Sequence, residues 1–211
     1  MESLDEPLYW ACRDRAWSLA ATLLEAGAGT EWRDGVIEDT AIMWAAPRGS
    51  LATATLLFNR GANIHALGNN GWNALMNASY RNYADVVSFL ADKGLKGTDI
   101  HVRNSNGQDA LLIAAVWGNI DVALELIARQ ADARVVDQRN RAALTHFGSP
   151  TSDLSASERQ QGQTRLIAAW LAGPHPSQVA ERHWQRRKNG RVRWGALVEA
   201  GRRHGSTRKG R

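Results

Sequence analysis

The sequence predicts an all-α protein in which helix pairs stack into a solenoid, and two recurring landmarks support this fold class. The first landmark is an apolar residue in a helix rich in small residues, and it recurs at Leu8, Ile42, Leu75, Leu111 and Leu144. The second is the residue that ends the next helix, and it recurs at Gly27, Gly61, Gly94 and Gln130. Successive spacings are 34, 33, 36 and 33 residues for the first landmark and 34, 33 and 36 for the second. Because the two landmarks shift together, including a longer step before the fourth unit, they indicate one repeat.

Within each unit the predicted order is helix, turn, helix and projecting loop. First helices are expected at residues 7–12, 41–46, 74–79, 110–115 and 142–147. Each second helix ends at the second landmark, where glycine permits the left-handed conformation that stops a helix. The loops at residues 66–72 and 103–108 each carry an Asn-Gly pair, which favours a tight turn with positive φ.

These features resemble the ankyrin repeat, which has a period of 33, a T-P-L-H-x-A start to its first helix and G-A-D after its second. The resemblance is close over about residues 4–147 and extends weakly to about 173, which implies four recognisable repeats plus a degenerate fifth. The Thr-Pro pair is replaced by Thr40-Ala41, Asn73-Ala74, Asp109-Ala110 and Ala142-Ala143. In the family, the Thr and the His hydrogen-bond across neighbouring units. Their replacement therefore implies a solenoid that relies more on apolar packing.

The fifth unit departs from the others because about ten extra residues separate its two helices. Ser155 and Glu158 match a capping box, so the inserted segment is expected to begin a longer helix. The sequence Gly-Pro-His-Pro-Ser that starts at Gly173 breaks helical structure. We therefore expect two domains, a solenoid over residues 1–173 and a basic C-terminal extension over residues 174–211.

Charge is divided unevenly between these regions. Residues 1–178 hold 15 Lys and Arg against 19 Asp and Glu, whereas residues 179–211 hold 11 against 2. A hairpin turning at residues 189–190 would place like charges opposite one another, which is unfavourable. The sequence instead favours two short basic helices and a disordered end, because a serine N-cap at Ser177 and the stop at Gly190 obey helix-end rules.

The basic extension has three interpretations. Its apolar side chains could pack on the exposed end of the solenoid, with the cations facing water. Alternatively, the cations could bind nucleic-acid phosphates, or an acidic protein or an anionic membrane surface. The candidate residues for these binding roles are Arg186, Arg187, Lys188, Arg191 and Arg193.

The resemblance also implies where a protein partner would bind. In ankyrin proteins most partner contacts come from the loop tips and the exposed ends of the first helices. Carried over to this chain, those positions are Arg13, Arg48, Asn69, Asn70, Trp72, Tyr80, Arg81, Gln108, Val116, Trp117 and Arg139. Trp, Tyr and Arg are enriched at binding hot spots, but the aromatic residues could also pack over neighbouring helix ends. Trp10 and Trp44 are expected to pack between units.

Nothing in the sequence supports catalysis, a cofactor or a metal site. The motifs of phosphate-binding loops, zinc proteases, serine hydrolases and dinucleotide-binding proteins do not occur in the sequence. His65 and His101 recur in equivalent loops but lie too far apart to build a zinc site, and Cys12 occupies the position of a small apolar residue. The single cysteine, the acidic N-terminal segment and the absence of a long apolar run favour an intracellular protein.

The function expected from the sequence is therefore binding. We expect a non-enzymatic cytoplasmic scaffold, monomeric and without a cofactor, that binds a protein through its loop tips and concave face. The alternative is a nucleic-acid-associated protein whose repeats recruit a protein while the basic extension holds DNA or RNA.

Overall fold

A computed structural model describes residues 3–94, 99–140, 142–143 and 155–172. Apart from an isolated antiparallel bridge between Val136 and Ala142, the regular secondary structure in these ranges is helical. The all-α prediction is therefore confirmed for them. The chain divides into the compact units Met1–Gly173 and Pro174–Arg211. The second unit lies outside the described residues, so the two helices expected there remain a prediction.

Four helix pairs follow one another along the described chain. Their first helices are α1 (Asp5–Arg13), α3 (Ala41–Ala45, continued by a 3₁₀ turn at Ala46–Arg48), α5 (Ala74–Tyr80) and α7 (Ala110–Trp117). Their second helices are α2 (Trp17–Glu25), α4 (Leu51–Asn59), α6 (Ala84–Lys93) and α8 (Ile120–Ala128). Four of the five predicted first helices are confirmed, with ends that differ by two residues at most.

The pairs stack because the small residues of the first helices allow close approach. Helix α1 contacts α3, α3 contacts α5 and α5 contacts α7. The second helices form another row of contacts, in the order α2, α4, α6, α8. The apolar landmark residues Leu8, Ile42, Leu75 and Leu111 are at most 2% exposed, so they form the centre of the core. Burial of such side chains contributes about 1.5–3 kcal/mol each to folding.

The projecting loops are linked tip to tip by backbone hydrogen bonds. The N–H of Asn69 donates to the carbonyl of Ile37 (3.0 Å), and the N–H of Ser105 donates to that of Asn70 (2.9 Å). The same pattern continues with the N–H of Gln138, which donates to Asn106 (3.0 Å). Asn70 and Gly71 both have positive φ, at 57° and 72°, as the Asn-Gly pair predicts.

The second helices end less uniformly than predicted. Gly27 and Gly61 adopt the left-handed conformation, with φ of 91° and 87°, and Gln130 adopts it without being glycine (φ 70°). The prediction is wrong at Gly94, which has φ −57° and ψ 129°. The insertion that lengthens this unit lies in the sequence between Gly94 and His101, directly after this helix end.

Polar caps survive where the Thr of the ankyrin pattern is lost. A side-chain oxygen of Asn73 accepts a hydrogen bond from the N–H of Met76 (2.8 Å), and one of Asp109 accepts from Leu112 (2.8 Å). Both residues are buried, at 1% exposure. The helix starts of α5 and α7 are therefore held by side-chain caps as well as by the apolar packing that the sequence emphasised.

The fifth unit begins its second helix at the predicted capping box. Helix α9 (Ala156–Ala172) follows Ser155, whose N–H donates to Oε2 of Glu158 (2.8 Å) while its Oγ accepts from the N–H of Glu158 (3.3 Å). Helix α9 packs on α8, with Leu166 1% exposed. Most of the expected partner helix at residues 142–147 lies outside the described residues.

Candidate protein-binding surface

The ends of the first helices form an edge where the sequence places most of the candidate residues. Arg13 is the last residue of α1, Arg48 ends the 3₁₀ turn after α3, Arg81 caps α5 and Trp117 ends α7. The turn after Arg48 depends on Gly49, whose φ is 70° and where a Cβ would lie 2.3 Å from the Tyr83 ring. A larger residue there would displace the helix end, so local sequence and packing together set this edge.

Three aromatic residues, Trp72, Tyr80 and Trp117, form a cluster on the third and fourth units, called here the Tyr80 cluster. The rings of Trp72 and Tyr80 meet edge to face at 6.1 Å, and those of Tyr80 and Trp117 at 4.6 Å. Trp117 stays 47% exposed, whereas Trp72 and Tyr80 are half-buried against the core. The rings pack on one another and Trp117 still presents surface to water, so the packing is observed and the binding role stays a prediction. The neighbouring Val116 is half-buried.

A second cluster, called here the Tyr9 cluster, consists of Tyr9, Trp10, Trp32 and Trp44. The Tyr9 ring lies 5.1 Å from Trp10, 4.9 Å from Trp32 and 6.1 Å from Trp44, measured between ring centroids. Tyr9 is fully buried and its hydroxyl donates to Oδ2 of Asp34 (3.1 Å). Trp44 packs between the first two units as expected, whereas Trp10 packs on Tyr9 of its own helix and on Trp32 of the following loop. Sequence analysis missed the contribution of Trp32, because an extra residue in its loop obscures the alignment of repeats.

Arginine side chains lie over these rings. The guanidinium carbon of Arg13 is 4.8 Å from the Trp10 ring centre and 5.8 Å from that of Trp44. The guanidinium carbon of Arg48 is 4.7 Å from Trp44, and that of Arg81 is 4.7 Å from Tyr80. At these distances the positive charge is attracted to the face of the ring, which also restricts the motion of the side chain.

The guanidinium groups also lie close to one another. Burial lowers the pKa of Arg48, and the positive charges of Arg15, Arg13 and Arg81 lower it further, while Asp14 acts in the opposite direction. Arg15 is therefore a member of this group that sequence analysis missed. It has φ 63° in the turn that joins α1 to α2, and its place just after Arg13 and Asp14 is the signal that would have found it.

Backbone hydrogen bonds between neighbouring loops hold the loop tips that carry the candidate residues. Asn69 and Asn70 are exposed, and their backbones join neighbouring loops. Gln108 and Arg139 line a shallow polar cavity with Asn106, Asp137 and Gln138. The N–H of Arg139 donates to Oδ1 of Asp137 (2.8 Å), which fixes the backbone there. These tips can offer amide and guanidinium groups to a partner without first becoming ordered.

Two buried or partly buried aspartates, Asp39 and Asp109, have a raised pKa. Burial and the nearby negative charge of Asp34 raise the pKa of Asp39 to about 6, against the opposing charge of Arg33. Burial raises the pKa of the helix-capping Asp109 to about 6 as well. Asp109 caps α7, and Asp39 lies beside Gly68 of the neighbouring loop.

The side chains considered from the sequence as nucleophiles or metal ligands form no reactive or metal-binding group in the described ranges. Cys12 is fully buried, and burial raises the pKa of its thiol to about 12, so the thiol remains protonated near neutral pH. In the described ranges no three His, Cys, Asp or Glu side chains are grouped to hold a metal. A search of the helices in those same ranges finds none with the length and apolar character needed to cross a bilayer. The tail cations Arg186, Arg187, Lys188, Arg191 and Arg193 lie outside the described residues.

Comparison with known proteins agrees with this architecture. A family model described as ankyrin repeats, in three copies, matches residues 8–100 and again residues 42–138. No curated protein matches the chain. The family model thus covers more than half of the sequence and coincides with the stacked helix pairs. The chain therefore belongs to the ankyrin-repeat family.

Proposed function

We propose that this protein is a non-enzymatic scaffold, acting as an adaptor, inhibitor or effector, that binds a partner protein through its loop tips and concave face. The observation that carries the proposal is the Tyr80 cluster, in which Trp117 remains 47% exposed at the end of a first helix. Half-exposed aromatic residues at this position are available to a partner while their orientation is already set by ring contacts. Binding then loses little side-chain entropy.

The residue types at the helix ends support the proposal. Trp, Tyr and Arg dominate the energetics of protein interfaces because they bury large areas and retain a polar group. Trp72, Tyr80, Arg81 and Trp117 lie together, with Arg81 over the ring of Tyr80. A stack of repeats presents such side chains along an open surface, which suits another macromolecule better than a small substrate.

The loop tips provide a second contact region. The hydrogen bonds from Asn69 to Ile37, from Ser105 to Asn70 and from Gln138 to Asn106 tie the tips of successive units together. Preorganised loops of this kind avoid the ordering cost that a flexible loop incurs on binding. We expect the protein to act as a monomer in the cytoplasm.

Affinity capture from the native cell tests the proposal. The bait is the full chain, compared with a variant that carries Trp72→Ala and Trp117→Ala. We expect the double variant to lose most of its captured partner while its thermal unfolding stays cooperative. A matched control is Leu19→Ala, which removes an apolar side chain that is 50% exposed on the second helix α2. Capture that is unchanged in a folded Trp72/Trp117 variant would contradict the assigned surface.

A second function, nucleic-acid association, is favoured by the charge of the extension, 11 basic residues against 2 acidic ones over residues 179–211. Titration with DNA and RNA at several salt concentrations tests it. A steep salt slope in the full chain, lost on truncation after residue 176, is the expected result. Absence of binding at low salt would rule this function out.

A further inference from the structure

Four arginines from the first three units meet at the helix-end edge and are called here the arginine cluster. They are Arg13 at the end of α1, Arg15 in the following turn, Arg48 after α3 and Arg81 at the end of α5. Burial lowers the pKa of Arg48, and the positive charges of Arg15, Arg13 and Arg81 lower it further. Like charges assembled in this way are unfavourable unless an opposite charge is supplied.

Aromatic rings lie beneath three of the four guanidinium groups. Arg13 lies over Trp10 at 4.8 Å, Arg48 over Trp44 at 4.7 Å and Arg81 over Tyr80 at 4.7 Å. A stacked guanidinium keeps the N–H groups of its edge available for hydrogen bonding. Arg48 also donates from an Nη to the carbonyl of Trp44 (3.3 Å), which further limits its motion.

Asp14 lies next to Arg13 and Arg15 in the sequence and its charge acts on Arg48, but it forms no salt bridge with the cluster within the described ranges. Among the residues that the structure describes, no carboxylate forms a salt bridge with any of the four guanidinium groups. Some arginines elsewhere in the described part of the stack do have such partners. Arg129 pairs with Asp92 (3.1 Å) and Arg134 pairs with Asp132 (3.0 Å). The Nε of Arg48 is buried and has no hydrogen-bond acceptor within the described part of the chain.

We propose that the arginine cluster is the recognition site for an acidic segment of the partner protein, whose Asp and Glu carboxylates bind the guanidinium edges. The inference rests on the proposed scaffold function and adds the chemistry of the partner. A planar guanidinium matches a carboxylate through two parallel hydrogen bonds, and such charge-assisted pairs are stronger than neutral ones. Arginines held in place by rings lose little freedom on forming them.

Two observations favour a protein segment over nucleic acid at this surface. The rings of Trp10, Trp44 and Tyr80 each have a guanidinium over them, so they are not free platforms for stacked bases. Residues 1–178 carry 15 basic against 19 acidic residues, so the solenoid as a whole does not attract a long polyanion. A local cluster of arginines on a solenoid of net negative charge is better suited to a short acidic peptide segment.

Fluorescence polarisation with the full chain and a labelled peptide of alternating Asp and Glu tests the inference. We expect Arg13→Gln combined with Arg81→Gln to weaken binding by at least about tenfold. Arg48→Gln should weaken it further, with circular dichroism showing a retained fold. The matched control combines Arg60→Gln and Arg103→Gln, which removes the same charge from two exposed arginines outside the cluster and should leave affinity within about twofold.

Three results would overturn the inference. In the first, the cluster variants bind the peptide as tightly as the unmodified chain. In the second, affinity is lost when the tail cations Arg186, Arg187, Lys188, Arg191 and Arg193 are changed to Gln, and not when the cluster is changed. In the third, a single-stranded oligonucleotide of equal charge binds the cluster more tightly than the peptide. Partner capture could also be lost in the Trp72/Trp117 variant and kept in the cluster variants. That result would support the scaffold function and refute only the acidic segment as its ligand.

Discussion

The Tyr9 cluster and the Tyr80 cluster use the same residue types at related positions of the repeat, yet their surroundings differ. Tyr9 is fully buried among three tryptophans, and the loop that carries Trp32 and Asp34 closes over it. At the other cluster Trp117 is 47% exposed and contacts Tyr80 by one edge. The fully buried Tyr9 ring at the start of the stack therefore belongs to the core, whereas Trp117 at the end of α7 keeps part of its surface open to solvent.

The largest stability effect is expected at the Tyr9 cluster. Tyr9→Ala removes a fully buried ring and should lower the free energy of unfolding by about 3–5 kcal/mol, measured by urea denaturation. Tyr9→Phe is the matched control, because it keeps the ring and loses only the hydrogen bond to Asp34, for about 1 kcal/mol. A loss below about 1 kcal/mol for Tyr9→Ala would show that the cluster is not structural.

A smaller effect, of opposite sign, is expected at the cap of α7. Asp109→Asn keeps an oxygen that can accept from the N–H of Leu112 and removes a carboxyl whose pKa burial raises to about 6. The variant should gain on the order of 1 kcal/mol at pH 7. The equivalent residue of the preceding unit, Asn73, already caps α5 in this way.

The pH dependence of that gain identifies its cause. The folded protein holds the Asp109 proton more tightly than the unfolded chain, whose Asp has a pKa near 3.8, so stability falls as pH rises between about 4 and 6. The difference between the unmodified chain and Asp109→Asn should therefore vanish near pH 4. The free energy of unfolding of the Asp109→Asn variant should still fall with rising pH, in part because the pKa of Asp39 is also raised to about 6. A gain independent of pH would rule out the carboxyl as its source.

The smallest stability effect is expected at the Tyr80 cluster. Trp117→Ala removes a half-exposed ring and one edge-to-face contact, so it should lower the free energy of unfolding by about 1 kcal/mol. The same urea titration compares it directly with Tyr9→Ala. If the two losses were equal, Trp117 would serve the fold as much as Tyr9 does, and the contrast between the clusters would fail.

Features set by neighbouring residues could be predicted from the sequence. The repeat spacing located the first helices of four units, the Asn-Gly pair located the positive φ of Asn70 and Gly71, and the serine-glutamate pattern located the start of α9. Each depends on hydrogen bonds or packing periods within a few residues, where the chain's own propensities decide. The prediction of a left-handed residue was wrong at Gly94, which has a negative φ and, unlike the ends of the other second helices, is followed in the sequence by an insertion.

The tertiary structure alone decided which side chains meet across the repeats. Arg13, Arg48 and Arg81 are more than 30 residues apart in sequence, and Tyr9 reaches Asp34 across 25 positions. Such contacts depend on how the helix pairs are stacked and on the volume of every side chain between them. By itself the sequence determined an ankyrin-repeat stack and the residues at its helix ends, because these follow from a periodic local pattern. Only the packed structure decided that Tyr9 is buried, that Trp117 remains exposed and that Arg13, Arg48 and Arg81 lie over neighbouring rings.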